Sequence, residues 1–357
     1  MNPGPAQPAG GGTGPASGRV MRSRLESGDV VVTAEIGPPR GADPDAIRGQ
    51  AEPLRGWVDA VNVTDNQSGF VRLSSWGGSL LALAAGVEPV MQLTCRDRNR
   101  IALQSDLISA AVLGIPNVLL MTGDHPRFGD HPGAKPVFDL DSVQLLWTAR
   151  TMRDDGRLLS GRRLNPAPDW LIGAVENPFA PPARFRAARL GKKVSAGAQF
   201  VQTQYVFDIA AFAHWMAEVR DLGLEQHCGI LAGVGPIRSI RALEHMRANV
   251  PGVHVPDEVA RRLRGVPADR VADEGVRMAA EIIQQVLRIP GVRGIHVMAP
   301  GFERGVPQIL DQAGMRRRDG PQAASSPAGG PADGPAGEPA GCGRAAGAPG
   351  RRSGRAY

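Results

Sequence analysis

One feature constrains this chain more than any other: apolar runs of strand length recur along it and alternate with segments of helical period. The runs occupy 30–36 (VVVTAEI), 58–63, 89–94, 117–122, 170–175, 199–205, 229–234 and 293–298. Helical periodicity is found at about 43–54, 74–85, 98–113, 140–154, 183–195, 208–222, 237–248 and 271–288, one segment assigned to each strand. A further short helix is expected over 256–266, and Asp208 and Pro236 are read as helix starts. Strands separated by helices pair in parallel, because each crossover returns the chain to the same end of the sheet. Eight such units favour an α/β fold of the closed (β/α)8 barrel type over an open doubly wound sheet.

The ends of the chain do not share the pattern. Residues 1–18 and 316–357 are too poor in large apolar side chains to order themselves; in the latter, Gly, Ala and Pro fill 26 of 42 positions. The expected organisation is a disordered segment at 1–18, one folded domain at 19–315 and a disordered basic tail at 316–357. The pI near 9.9 belongs to those ends. Of a net charge of +6, residues 1–24 carry +3 and residues 316–357 carry +4, which leaves −1 for 25–315. A neutral body argues against nucleic acid as a partner. No apolar run approaches the ~20 residues of a membrane span, so no membrane partner is expected. The N-terminus lacks the apolar stretch of a signal peptide. The three cysteines, Cys95, Cys228 and Cys342, are too scattered for a disulfide framework or a paired metal knuckle. A cytoplasmic protein is the expectation.

In such barrels ligands bind at the C-terminal ends of the strands. Polar residues gather there: Glu35, then Thr64-Asp65-Asn66-Gln67, Thr94 with Arg96 and Asp97, Thr122-Gly123-Asp124, Glu176-Asn177, and Gln202 with Gln204. Wet loops explain any one of these, but six strands together favour a site. Glu35 precedes Pro38 and Pro39, which stiffen its exit loop. A carboxyl at an apolar mouth loses solvation and keeps its proton to higher pH, as a general acid requires; a structural carboxylate paired with arginine is the alternative. Gly123 permits close approach of backbone to a ligand, and the Gln204 amide offers paired donor and acceptor. Lys192-Lys193 read, on their own, as a solvated helix end. The HPRFGDHP stretch reads as a loop, so no metal site is expected. The glycine signatures of dinucleotide and P-loop sites are missing from the sequence, as is a nucleophile elbow.

Taken in order, AEIGPP, NVTDNQ, QLTCRDRNR, LLMTGDHP, GAQFVQTQYVFD and HVMAPGFE resemble the methylenetetrahydrofolate reductase family over about 25–314. The long third and fourth motifs resemble a bacterial branch of it. The resemblance implies an oxidoreductase in which NADH or NADPH reduces bound FAD, and flavin N5 passes hydride to 5,10-methylenetetrahydrofolate, giving 5-methyltetrahydrofolate. Glu35 then matches the general acid that opens the imidazolidine ring. Asp124 matches the acid near flavin and pterin that stabilises the cationic intermediate. Gln204 matches an amide contacting pterin and nicotinamide. Thr64 and the Met121-Thr122-Gly123-Asp124 turn match flavin contacts, and Lys193 matches a lysine near the flavin phosphates.

The chain also departs from the well-known enterobacterial form. Gln92 stands at its flavin-side histidine, Arg186 at an acidic residue, Arg189 at an asparagine and Pro181 near a histidine. Ile240 replaces a phenylalanine of the seventh loop that gates the stacked ligand, and Phe302 falls near an arginine of the eighth. The resemblance therefore supports the chemistry better than the FAD grip, and leaves FMN, or no flavin and direct hydride transfer from nicotinamide, as alternatives. A homo-oligomer or an electron-donor subunit is an open partner. A non-catalytic barrel subunit is the competing reading, opposed by retention of Glu35, Asp124 and Gln204. A zinc-dependent methyltransferase would need clustered thiolates that three scattered cysteines do not supply.

Overall fold

Side chains of a strand alternate between its faces, so in a barrel every second residue points to the axis and the rest meet the helices. The computed structural model describes residues 19–250 and 252–318; of the segments expected to be disordered, 1–18 and 319–357 lie outside the described residues, while 316–318 are described. The order of elements is α1 (Val20–Ser27), β1 (Val31–Ile36), α2 (Asp45–Ala51), β2 (Ala60–Val63), α3 (Ser75–Ala84), β3 (Pro89–Thr94), α4 (Arg100–Val112), β4 (Asn117–Met121), α5 (Ser142–Asp154) and β5 (Leu171–Glu176). There follow α6 (Arg186–Ala196), β6 (Phe200–Tyr205), α7 (Ile209–Asp221), β7 (Gly229–Val234), α8 (Ile240–Asn249), α9 (Asp257–Arg264), α10 (Val271–Val286), β8 (Val292–Val297) and α11 (Val306–Gln312). All eight strands are parallel, neighbours in sequence are neighbours in space, and β8 closes on β1 in the register Val31 to Gly294. This is the (β/α)8 barrel that the alternation implies.

Three details differ from the sequence reading. Segments 237–248 and 271–288 both lie between β7 and β8, as α8 and α10, so the helix that follows β8 is α11. Its seven residues are too few to show a helical period. Pro236 starts no helix. Ile237 is buried before α8 begins, and Ser239 caps α8 by accepting the Ala242 N–H at 3.0 Å. Asp208 does cap α7, accepting the Ala211 N–H at 2.9 Å. Finally, α1 was not anticipated, because among its eight polar-rich residues only Met21 is buried.

That one methionine plugs the barrel. It packs with the inward residues Val31, Ala60, Val90, Leu119, Leu171, Phe200 and Leu231, which form an apolar floor. Phe200 fits because its neighbour on β5 is Gly173, where any Cβ would overlap the ring. Two residues further along the strands the inward side chains turn polar: Thr33, Asn62, Gln92, Gln202 and His296, all buried. Two residues further again come Glu35, Thr64, Thr94 and Gln204, at the mouth. Alternation alone thus stacks an apolar layer, a polar layer and a mouth. Below the floor, Asp59 is sealed from solvent, pairs with the Arg24 guanidinium of α1 (2.7 Å) and accepts hydrogen bonds from the Val32 N–H (2.7 Å) and from Arg318.

Candidate functional site at the barrel mouth

Glu35 ends the inward row of β1. Its loop is held by Gln50, which accepts the Gly37 N–H at 2.9 Å and donates to the Gly37 carbonyl at 3.0 Å. Only 13% of the side chain is exposed. Burial pushes the carboxyl up to about 7, against hydrogen bonds from Gln92 and Gln67 that pull the other way; nearby Glu303 pushes it further up. The Gln67 amide donates to Glu35 Oε1 at 3.3 Å. Glu35 therefore carries its proton over much of the range around neutrality, the state a general acid needs.

His296, on β8, lies under Glu35, with Nε2 4.0 Å from Oε2. Burial drives its imidazole down to about 3, so it is neutral. Gln202 donates to Thr33 Oγ1 at 3.1 Å, and Thr33 Oγ1 in turn shares a hydrogen bond with His296 Nδ1 at 2.9 Å. The Thr33 hydroxyl has a second acceptor in the Ile295 carbonyl at 3.4 Å, so Thr33 anchors Nδ1 while Nε2 is the nitrogen that faces Glu35. Gln202 and Asn62 pair amide to amide across the barrel, at 2.6 and 3.0 Å, and so fix the orientation of Gln202. Sequence reading did not single out Thr33, Asn62 or His296. Their signal is parity: each precedes a mouth residue by two positions, and each is polar inside an apolar run.

The other expected residues divide. Thr64 is buried at the mouth, and its Oγ1 finds no hydrogen-bond partner among the described residues. Gln92 is inward and bonded to Glu35. Met121 and Thr122 lead into a turn in which Gly123 takes φ +85°, and a Cβ there would meet Thr94 Cβ at 3.0 Å. Only glycine lets this turn lie so close to β3. Asp124 follows, exposed at the mouth. The Gln204 Oε1 accepts the Tyr205 N–H at 2.9 Å, leaving its NH2 group as the free end. Ile240, half-buried, opens α8 at the same end of the barrel.

Lys193 stands apart. Glu176, the last residue of β5, points outward under α6, and Lys193 donates to its Oε2 at 2.9 Å and to the Val175 carbonyl at 2.5 Å. Arg189 approaches the same carboxylate at 3.6 Å, and Arg186 donates to the Phe179 and Ala180 carbonyls. These cations are committed to the protein. The inner residues suit the ring of a flavin: an unpartnered buried hydroxyl at Thr64, and a glycine turn at Gly123. The β5–α6 residues do not present a free grip for its phosphates.

A buried cation that sequence reading noted but gave no role organises the loops. Arg96 binds Asp97 through Nε and Nη2, both at 2.8 Å, and reaches the carbonyls of Asn66 (3.1 Å) and Asp124 (3.5 Å). It ties the loop after β3 to those after β2 and β4.

Barrels divide by what lines the mouth, and this one sets there a buried carboxyl whose ionisation is pushed toward neutrality. The chain belongs to the methylenetetrahydrofolate reductase family, whose sequence model matches residues 20–314. Among its relatives are methylenetetrahydrofolate reductase 2 of Saccharomyces cerevisiae, 25% identical over 268 residues, and methylenetetrahydrofolate reductase 1 of Schizosaccharomyces pombe, 27% identical over 239. The alignments cover 71% and 64% of this chain, which spans 41% and 36% of the length of those two proteins. A solved structure of a Clostridium thermocellum protein that binds two copies of 5-methyl-5,6,7,8-tetrahydrofolic acid superposes with a TM-score of 0.60 at 13% identity. The superposition covers 82% of this chain and 98% of that one, a likeness of fold. Among the described residues no helix is long and apolar enough to cross a membrane.

Proposed function

We propose that this chain reduces 5,10-methylenetetrahydrofolate to 5-methyltetrahydrofolate, with NADH or NADPH as the electron source. The observation that carries the proposal is Glu35: a carboxyl at the barrel mouth, held by burial at about 7, in a chain of this family. The methylene carbon of the substrate accepts hydride only once its five-membered ring has opened, and opening needs a proton on the leaving nitrogen. Glu35 supplies that proton. His296 stands 4.0 Å from the carboxyl, and because its own pKa is so low it does not take the proton away. Asp124 sets a negative charge at the mouth to stabilise the cationic open form. The free NH2 end of Gln204 reads the pterin ring.

Thr64 and the Met121–Asp124 turn are the residues that would hold a flavin, FAD or FMN, which when bound supplies the hydride relay between nicotinamide and folate. The support for nicotinamide comes from relatives named for NADPH in Caenorhabditis elegans and for NADH in Arabidopsis thaliana. The support for folate comes from the Clostridium thermocellum protein as well. A second reading, direct hydride transfer without flavin, is favoured by the engagement of Lys193 with Glu176 and the Val175 carbonyl.

The test is formation of 5-methyltetrahydrofolate by the purified chain, with each nicotinamide nucleotide, before and after addition of FAD or FMN. Product that depends on added or bound flavin supports the first reading. Equal product with no flavin in the absorbance spectrum supports the second. No product under any of these conditions overturns both.

A further inference from the structure

The loop after β2 sends one side chain to the acid. Gln67 is exposed, and its Nε2 donates to Glu35 Oε1 at 3.3 Å, while the other carboxyl oxygen faces His296. The backbone on either side of Gln67 is unusual. Three non-glycine residues among those described take a positive φ, and two of them are its neighbours, Asn66 at +45° and Ser68 at +57°. Residues with side chains rarely enter this left-handed region, and they stay in it where the surroundings hold them.

Asn66 is held by three hydrogen bonds. Its carbonyl accepts from Arg96 Nη2 at 3.1 Å and from the Gly69 N–H at 2.8 Å, and its side-chain Oδ1 accepts the Arg72 N–H at 3.0 Å. The same loop is fastened to the one that leaves Glu35. The Leu73 N–H donates to the Pro39 carbonyl at 2.9 Å, and Arg72 Nη1 donates to the Pro38 carbonyl at 3.1 Å. The frame that bends the chain at Gln67 is thus joined to the frame that carries the acid. Among the described residues the Gln67 amide makes no hydrogen bond besides the one to Glu35.

An acid that gives up its proton leaves a carboxylate in a place poor in water, and donors aimed at that carboxylate ease the step. The titratable groups that bear on Glu35 supply no positive charge. His296 of β8 is neutral, and Glu303 of the turn after β8 repels. Tyr205 of β6 is kept protonated by burial and spends its hydroxyl hydrogen on the Met298 carbonyl at 3.0 Å. What remains is two amides, Gln92 inside the barrel and Gln67 at its rim.

We propose that Gln67 is a positioning residue for the acid: its amide, aimed by the strained backbone at Asn66 and Ser68, fixes Glu35 Oε1 at the mouth and stabilises the carboxylate that remains once the proton has moved. This rests on the reading of Glu35 as the acid that opens the folate ring. In that step the proton passes from Glu35 to the leaving nitrogen, which keeps the electron pair of the broken C–N bond.

Two variants at this exposed position separate the role from a structural one. Gln67→Met keeps the length and removes the donor; Gln67→Lys keeps a donor and adds charge. Infrared spectra across pH, each taken against the same chain carrying Glu35→Gln, isolate the carbonyl band of the protonated carboxyl. Its midpoint should rise by about half a pH unit in Gln67→Met, the worth of one modest hydrogen bond, and should fall in Gln67→Lys. The alkaline decline in reduction of 5,10-methylenetetrahydrofolate should move with the midpoint in each. Below that decline Gln67→Met should lower kcat by roughly 2- to 10-fold and leave KM for the folate unchanged. Thermal melts at pH 5, where Glu35 is protonated throughout, should coincide with wild type and so verify folding.

Midpoints that stay in place, or that move in the same direction in both variants, overturn the proposal while the folate reading stands. A raised KM at unchanged kcat also overturns it, and would make Gln67 a contact of the substrate itself. If wild type reduces no folate yet the midpoints move apart as expected, the folate reading fails and the hold of Gln67 on the Glu35 carboxyl is upheld.

Discussion

Glu35 and His296 face each other at 4.0 Å, and burial moves them in opposite directions, the carboxyl up to about 7 and the imidazole down to about 3. Between those limits both groups are neutral and the transferable proton sits on Glu35. A histidine beside a carboxylate ordinarily gains charge from it. Here neither is charged, because removing two groups from water costs more than their attraction returns at this separation. The pair is an acid beside a neutral imidazole, rather than an ion pair.

Replacing the acid tests its role in two ways. Glu35→Gln should lower folate reduction by about 10²- to 10⁴-fold, while wild-type activity should decline above about pH 7 as the carboxyl ionises. Stability carries the second signature. The folded carboxyl holds its proton to about 7 and the unfolded one only to about 4.5, so wild type loses stability as pH rises between those values. Glu35→Gln has no such group. Its melting temperature should gain on wild type from about pH 5 to about pH 8. Parallel melting curves across that interval would show that the carboxyl is not held protonated.

His296 gives the opposite slope. Its unfolded imidazole binds a proton below about 6.5 and its folded one only below about 3, so wild type loses stability as pH falls through that window. His296→Asn removes the group while its side-chain oxygen can still accept from Thr33. Melting temperatures between about pH 6 and pH 4 should therefore fall less steeply in the variant than in wild type. An unchanged slope would mean that His296 takes up its proton readily in the folded state.

The barrel was legible in the sequence because hydrophobic period is a local property: each of the eight strands lies within a residue or two of its apolar run. Glu35 and the Met121–Asp124 turn were legible for a related reason, since strand ends can be placed once strands are. The acid's partner was not. His296 is 261 positions from Glu35, and only barrel closure through the β8–β1 pairing brings them together. The partner of Lys193 is hidden from the sequence for a geometric reason. Strand parity sends Glu176 outward, and a buried outward carboxylate draws the nearest helix cation to itself. α1 and α11 were missed because each is short, and their anchoring contacts, such as Met21 against the barrel floor, are non-local.

Asp124 offers a contrast between function and stability. Its side chain is exposed and makes no hydrogen bond among the described residues; the turn beneath it is set by Gly123 and by the bond from Arg96 to its carbonyl. Asp124→Asn should slow folate reduction by roughly tenfold or more, the worth of one charged contact to a developing charge. The melting temperature should stay within error of wild type, as for surface substitutions generally. A variant with wild-type turnover would remove Asp124 from the chemistry.

The last prediction concerns where the chain can be cut. Compositional bias begins at about 316, and the part beyond Arg318 is expected to be dispensable for chemistry. The contacts of Arg318 agree with a cut after it and oppose one before it. Its backbone N–H donates to the Gly56 carbonyl at 2.5 Å, its Nη2 donates to the Val30 carbonyl at 2.9 Å, and its guanidinium shares Asp59 with Arg24. Asp59 is sealed from solvent, so removing one of its cations leaves a buried carboxylate only partly compensated. Truncation after 318 should leave melting temperature and turnover unchanged. Truncation after 315, or Arg318→Ala in the full chain, should cost about 1–3 kcal/mol, less than the full value of a buried pair because Arg24 stays in place; that is a drop of several degrees. Turnover at low temperature should be kept in all three, since Asp59 lies at the end of the barrel opposite Glu35. Equal melting of the two truncated chains would show that Arg318 contributes nothing, and loss of turnover on cutting after 318 would show that the remaining tail takes part in the reaction.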